Sequence, residues 1–182
     1  MPVDAADQPE SSLKLETLLA VHQNVQEQIR FADTKAGFIA GINVLLVGFL
    51  APHLDRLVGI DSTSVVAICV SSMLLTAYGM ASVVSFGCVI ACVVSRFGQD
   101  APHCRIFCGH ITATYGKDHG KYFEDVRTMS GDDWLRDVSD QIVENSSIAS
   151  AKHGLVRWAA FSTAVALACW SGTVIALAAV AS

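Results

Sequence analysis

The chain has 182 residues, 52% of them apolar and only 16% charged, with a net charge of −5 and a mean hydropathy of +0.46. A soluble domain carries about 25% charged residues, so this chain is short of the charge needed to coat a water-facing surface. The composition excludes disordered and collagen-like chains, an acidic chain offers no footprint for DNA or RNA, and six cysteines are too few for a disulfide scaffold.

Residues 1–11 read as a flexible N-terminus, and the first 35 residues hold Asp4, Asp7, Glu10, Glu16, Glu27 and Asp33 without a continuous apolar run, unlike a secretory signal. Residues 12–35 are expected to form an amphipathic helix capped at Ser11 or Ser12. Leu15, Leu18, His22, Val25, Ile29, Ala32 and Ala36 recur at alternating spacings of 3 and 4, the pattern of a helix seam. His22 reads as a tolerated polar member of that seam.

No Asp, Glu, Lys or Arg occurs from Ala36 to Pro52, from Ser62 to Ser95, or from Trp158 to Ser182. A spanning helix needs about 20 apolar residues, and a charge at the bilayer centre costs about 2.5–3.5 kcal/mol on insertion scales. Residues 36–53, 62–96 and 155–180 are therefore predicted transmembrane helices. The middle run of 34 residues would be about 51 Å long as one helix, more than a bilayer requires. No Pro, Asn or Asp near Gly79 marks a hairpin, so one long helix is expected.

Between the second and third spans, residues 97–154 form a polar segment. Arg105 to Ile111 is its apolar core, His119 to Arg127 a short helix burying Tyr122 and Val126, and residues 131–154 a stalk helix. Ser130-Gly-Asp-Asp133 has the form of a capping box. Leu135, Val138, Ile142, Asn145, Ala149 and Lys152 then repeat the 3 and 4 spacing, so this helix should enter the membrane unbroken near Leu155. The fold class is thus an all-α membrane protein of three transmembrane helices, with cytoplasmic helical stalks that partner each other in a small bundle.

Three spans put the N-terminus and the central segment on one side, which collects eleven of the twelve basic residues; Arg56 is the exception. By the positive-inside rule that side is the cytoplasm. Asp33, Lys35, Arg96 and Arg157 then mark the membrane boundary. Asn43 is a polar group at membrane depth, expected to face other helices or a water path, and Gly37 and Gly41 form a G-x-x-x-G pattern that permits close helix approach.

Catalytic motifs are lacking: there is no Walker loop, no G-x-S-x-G and no G-x-G-x-x-G. His103, Cys104, Cys108, His110 and His119 lie close in sequence, but one C-x3-C pair without a second pair is a poor zinc signature. The chain reads as a non-enzyme without a metal or cofactor. Two functional classes fit such a chain: a membrane adaptor, tethering a cytosolic partner through its stalks, and, against that reading, a metal-dependent membrane hydrolase.

Ala32-Asp-Thr-Lys-Ala-Gly37 at the head of a first span, with Asn43 inside it, resembles the signature of the Pycsar transmembrane effectors. So do Arg105-Ile-Phe-Cys-Gly-His-Ile111, Asp140-Gln-Ile and Ser147-Ile-Ala-Ser-Ala-Lys152 ahead of the last span, in the same order. The resemblance implies a bacterial antiphage effector that responds to cyclic CMP or cyclic UMP, made by a cognate cyclase, and impairs the inner membrane to abort infection. Ligand contacts are then expected among Lys35, Arg105, His110, Gln141 and Lys152, in a homo-oligomer.

Overall fold

Residues 8–58, 65–94, 105–106 and 108–181 are described by a computed structural model, and all regular structure among them is helical. The helices are α1 (Gln8–Val58), α2 (Val65–Val93), α3 (Cys108–Tyr115), α4 (His119–Thr128) and α5 (Gly131–Ala181). Three of them, α1, α2 and α5, are long and apolar enough to cross a membrane. The helix α1 starts at Gln8, inside the stretch expected to be flexible. Pro9 sits in its first turn, where the missing N–H has no intrahelical acceptor to lose. Pro52 removes one interior donor from α1 without ending it. The helix α2 is a single helix through Gly79.

The chain divides into two units, Met1–Phe31 with Ser95–Ser150, and Ala32–Val94 with Ala151–Ser182. In the second unit α1, α2 and α5 pack in layers. Asp33 meets Lys152, Asn43 meets Thr163, and Leu46 packs with Ala166. The constant offset shows that these parts of α1 and α5 run in the same direction. Cys92, Ser85 and Tyr78 appear in the same three layers in reverse order, so α2 runs antiparallel to both. Among the described residues the buried positions on α1 are Ala32, Ala36, Ile39, Asn43 and Leu46, a continuation of the 3 and 4 spacing, which keeps one seam facing inward.

That seam is small and polar, with Ser71, Ser82, Ser85, Thr163 and Thr173 among its buried members. The outward faces carry the large apolar side chains instead: Phe38 is 72% exposed and Met73 77%. Water would drive this pattern to invert. Hydrocarbon does not, because lipid tails are as apolar as Leu and helices associate through small residues and polar contacts. The packing is that of a multi-pass membrane bundle.

In the first unit, Leu15, Leu18, His22, Val25 and Ile29 are half-buried, and every other residue from 13 to 31 is exposed. The facing stripe on α5 buries Val138, Gln141, Asn145 and Ala149. Gly116, at φ +56, ends α3 and donates its N–H to the Thr112 carbonyl at 3.0 Å, a left-handed cap that a side chain would strain. Asp118 caps α4 through the Lys121 amide at 2.9 Å. The α5 capping box is reciprocal. The Asp133 amide donates to Ser130 Oγ at 3.2 Å, and the Ser130 hydroxyl and amide donate to the Asp133 carboxylate at 2.7 and 3.0 Å. These bonds hold the Asp133 carboxyl below its ordinary range. Tyr122 and Val126 are half-buried rather than buried, because α4 is a short helix with one side against the unit and the other in solvent.

Candidate functional site

The first unit contains a cavity of about 290 Å³ lined by Leu15, His22, Ile106, Trp134, Val138 and Gln141, among others. The α1 and α5 seams build it: Leu15 and His22 are one seam step of two turns apart, and Trp134, Val138 and Gln141 lie on successive turns of α5. Its wall is apolar except at two points. His22 Nδ1 is buried without a partner among the described residues, while Nε2 lies 2.8 Å from Gln26 Nε2. The Gln141 amide, buried, donates to Asn145 Oδ1 at 3.1 Å. An indole wall, an imidazole and a carboxamide in an otherwise apolar space suit a flat, polar-edged ring, which stacks on the first and bonds with the others.

Beside this cavity, one residue from Ile106, sits Arg105. Its backbone N–H donates to Asp137 Oδ2 at 3.1 Å and its Nε to Asp125 Oδ2 at 2.8 Å, with Nη1 3.7 Å from Asp137. Tyr115 donates its hydroxyl to the same Asp125 oxygen, and Tyr122 donates to the Arg105 carbonyl at 3.1 Å. The two tyrosine rings meet edge to face at 5.2 Å. One cation thereby ties α3, α4 and α5 together. Its pKa is raised first by the bond to Asp125, and that bond, with the larger contribution from Tyr115, holds the Asp125 carboxyl low.

The sign of the resulting pH effect follows. A depressed carboxyl contributes stability that is complete above the ordinary carboxylate pKa and is lost as pH falls through the lowered folded value. The thermal unfolding midpoint of the wild type should therefore fall on that acid limb, and Asp125→Asn should flatten the limb. An unchanged acid limb in the variant would remove Asp125 from the account of stability.

In the second unit, Lys152 Nζ lies 2.6 Å from Asp33 Oδ1, the lysine being only 8% exposed. Cys92 Sγ is 3.9 Å from the same carboxylate oxygen and from the Lys152 carbonyl. Deeper, the Asn43 amide nitrogen lies 2.9 Å from the Ile39 carbonyl, 3.1 Å from Ser85 Oγ and 2.8 Å from Thr163 Oγ1. Ser85 and Thr163 donate their own hydroxyls to the Ala159 carbonyl at 3.2 and 2.9 Å, which leaves their lone pairs for the amide. One carbonyl and one carboxamide thus bind three helices at membrane depth. Asn43 Oδ1 has no partner among the described residues.

Of the residues expected at a ligand, Arg105, His110 and Gln141 share the first unit; His110 is half-buried and already engaged. Lys35 and Lys152 belong to the second unit, where Lys152 is held by Asp33. Arg157 is exposed at the start of the last span, and Arg96 lies outside the described residues. Gly37 and Gly41 face open space within the chain, so they bring no helix close here. The close approach is at Gly172, where a Cβ would come within 3.3 Å of Leu74 Cδ1. Among the described residues no group of His, Cys, Asp and Glu converges as metal ligands would; His103 and Cys104 lie outside them. Trp134, Asp125 and Tyr115 were not singled out from sequence. Of these only Trp134 carried a signal, sitting beside the first residue of the α5 seam.

A family model described as the Pycsar effector protein domain matches residues 17–181 of the chain. No curated protein and no solved structure matches it.

Proposed function

The chain belongs to the Pycsar effector family, a family of antiphage defence effectors, and from that premise we propose that cyclic CMP or cyclic UMP switches it to a state that impairs the bacterial inner membrane. The observation that carries this reading is the first-unit cavity. A pyrimidine stacks on Trp134 and presents its polar edge to Gln141 and His22. Arg105, with His110 following in the sequence on α3, receives the phosphate. A cyclic phosphodiester carries one negative charge, and a guanidinium suits it. The phosphate competes there with Asp125, so binding loosens the Arg105 clamp, and α5, which belongs to both units, carries the change into the second. The effector acts without catalysis, with its first unit and N-terminus in the cytoplasm.

The size of the switch argues for several copies acting together. Moving an equilibrium from 1:99 to 99:1 takes about 5.5 kcal/mol of differential affinity. A ligand of roughly 20 heavy atoms at about 0.3 kcal/mol per atom offers ~6 kcal/mol in all. One site would have to commit nearly everything to one state, whereas a homo-oligomer shares the demand among its sites.

The test is dye release from liposomes that hold the purified chain. Release on adding cyclic CMP or cyclic UMP, absent with Trp134→Ala, is the expected result. Binding of the nucleotide without release would defeat the switch to a permeable membrane. Neither binding nor release would leave the chain a tether for a cytosolic partner.

A further inference from the structure

At the head of the membrane bundle, wholly within the second unit, lies a groove of about 550 Å³ between α1 and α5. Its lining has two ends. Lys35 and His153 sit nearest the residues where the two helices enter the unit, Val156 and Arg157 follow about one turn on, level with Phe38, and Ala160 lies deepest. Because α1 and α5 run in the same direction here, the register places Phe38 and Ile39 about one turn deeper than Thr34 and Lys35, and Ala160 one turn deeper than Val156. Lys35 and His153 therefore stand at the head of a slot, with Arg157 on its side level with Phe38, and the lining beyond them is apolar. No acidic residue is among the described lining; Lys35 already engages another group of the chain, and Arg157 is exposed. Trp158, next to Arg157 and 57% exposed, has the place of an interfacial anchor.

We propose that this groove is a binding site for an anionic glycerophospholipid of the cytoplasmic leaflet, with its phosphate on Arg157, Lys35 beside it, and the start of an acyl chain on Phe38, Val156 and Ala160. Charge complementarity selects the headgroup: a zwitterionic lipid brings its own cation to a rim that is already positive. The apolar floor selects a lipid over a free phosphate, which has nothing to place there. The site makes the condition of the membrane surface an input to the effector, and it does not depend on a nucleotide.

The experiment uses the full-length chain in a neutral detergent, without nucleotide. Thermal unfolding is followed while short-chain phosphatidylglycerol, phosphatidylcholine of the same chain length, or inorganic phosphate is titrated in. Phosphatidylglycerol should raise the midpoint saturably and the other two should not. Arg157→Gln should weaken the apparent affinity about five-fold, the factor expected for one basic residue at an anionic membrane surface. Arg157→Lys should retain most of the response, and Ala160→Phe, which fills the floor, should abolish it with the rim intact. Native mass spectrometry of the wild type, which should retain phosphatidylglycerol in preference to phosphatidylcholine, covers the case in which a variant fails to fold. Equal responses to the two lipids, an equal response to inorganic phosphate, or an unshifted midpoint in Arg157→Gln would each overturn the proposal. Because no nucleotide is present, such a failure leaves the cyclic-nucleotide reading standing.

Discussion

Asp33→Ala should lower the stability of the folded chain by about 2–3 kcal/mol, while Lys152→Met should lower it by only about 1 kcal/mol or less. The two residues form one ion pair, yet they are not equivalent. The Lys152 side chain is 11% exposed and the Asp33 side chain 40%. Removing the aspartate strands an ammonium in a nearly closed site, whereas removing the ammonium leaves a carboxylate that water still reaches. The cost of breaking a buried pair, about 3–5 kcal/mol, is reduced here by that same exposure. The double variant Asp33→Ala/Lys152→Met should match Lys152→Met alone, because no charge is then left unpaired in the site. Denaturant unfolding in a fixed detergent reads all three. Equal losses for the two single variants would contradict this asymmetry: equally small ones would mean a pair solvated on both sides, equally large ones a pair closed to water on both.

The second large effect is expected at Asn43, and its order runs against size. Asn43→Asp is nearly isosteric, yet it should cost about 3 kcal/mol. It puts a carboxylate at membrane depth, where a charge costs about 2.5–3.5 kcal/mol, and it turns an acceptor oxygen toward Ile39 O, Ser85 Oγ and Thr163 Oγ1 in place of the donor they share. Asn43→Val changes the shape more but should cost only about 1 kcal/mol. Interhelical hydrogen bonds in membranes average about 0.6 kcal/mol, and Ser85 and Thr163 keep the Ala159 carbonyl as their acceptor. The substitution also removes Asn43 Oδ1, which has no partner among the described residues. Unfolding midpoints of the two variants decide the matter. A larger loss for Asn43→Val would show that the carboxamide network, rather than the absence of charge, holds the three helices together.

The helices were legible where one rule governs them. Charge-free runs located the three apolar helices, and the seam beginning at Leu15 continues without a slip through Ile39, Asn43 and Leu46. The α5 seam likewise continues from Lys152 through Val156, Ala159, Thr163 and Ala166. Carrying either seam into the membrane would have placed Asn43 and Thr163 on the same interior. Hydropathy hides this, because Ser and Thr in a span can satisfy themselves on the carbonyl four residues back, as Thr163 does with Ala159, and so register as neutral on any face. The partnerships were illegible for a different reason. Lys152 reads as a cation awaiting a ligand until Asp33, 119 residues away, is brought to it. For Arg105, spacing likewise gave no sign of Asp125 and Asp137, 20 and 32 residues on, the carboxylates with which a phosphate there has to compete. Spacing predicts what shares a face of one helix; it has no access to what another helix presents. The glycines teach the same lesson, since the close approach uses Gly172 and not the G-x-x-x-G pair.

Three crossings of the bilayer, with the Arg105 unit on the inner side, are what the switch, the lipid groove and the charge asymmetry all require. Reporter fusions after Tyr115 and after Ala181, read in living cells by a pair of enzymes active on opposite sides of the membrane, measure this directly. The expected result is a cytoplasmic signal at Tyr115 and a periplasmic one at Ala181. The same compartment for both would contradict three crossings and everything built on them.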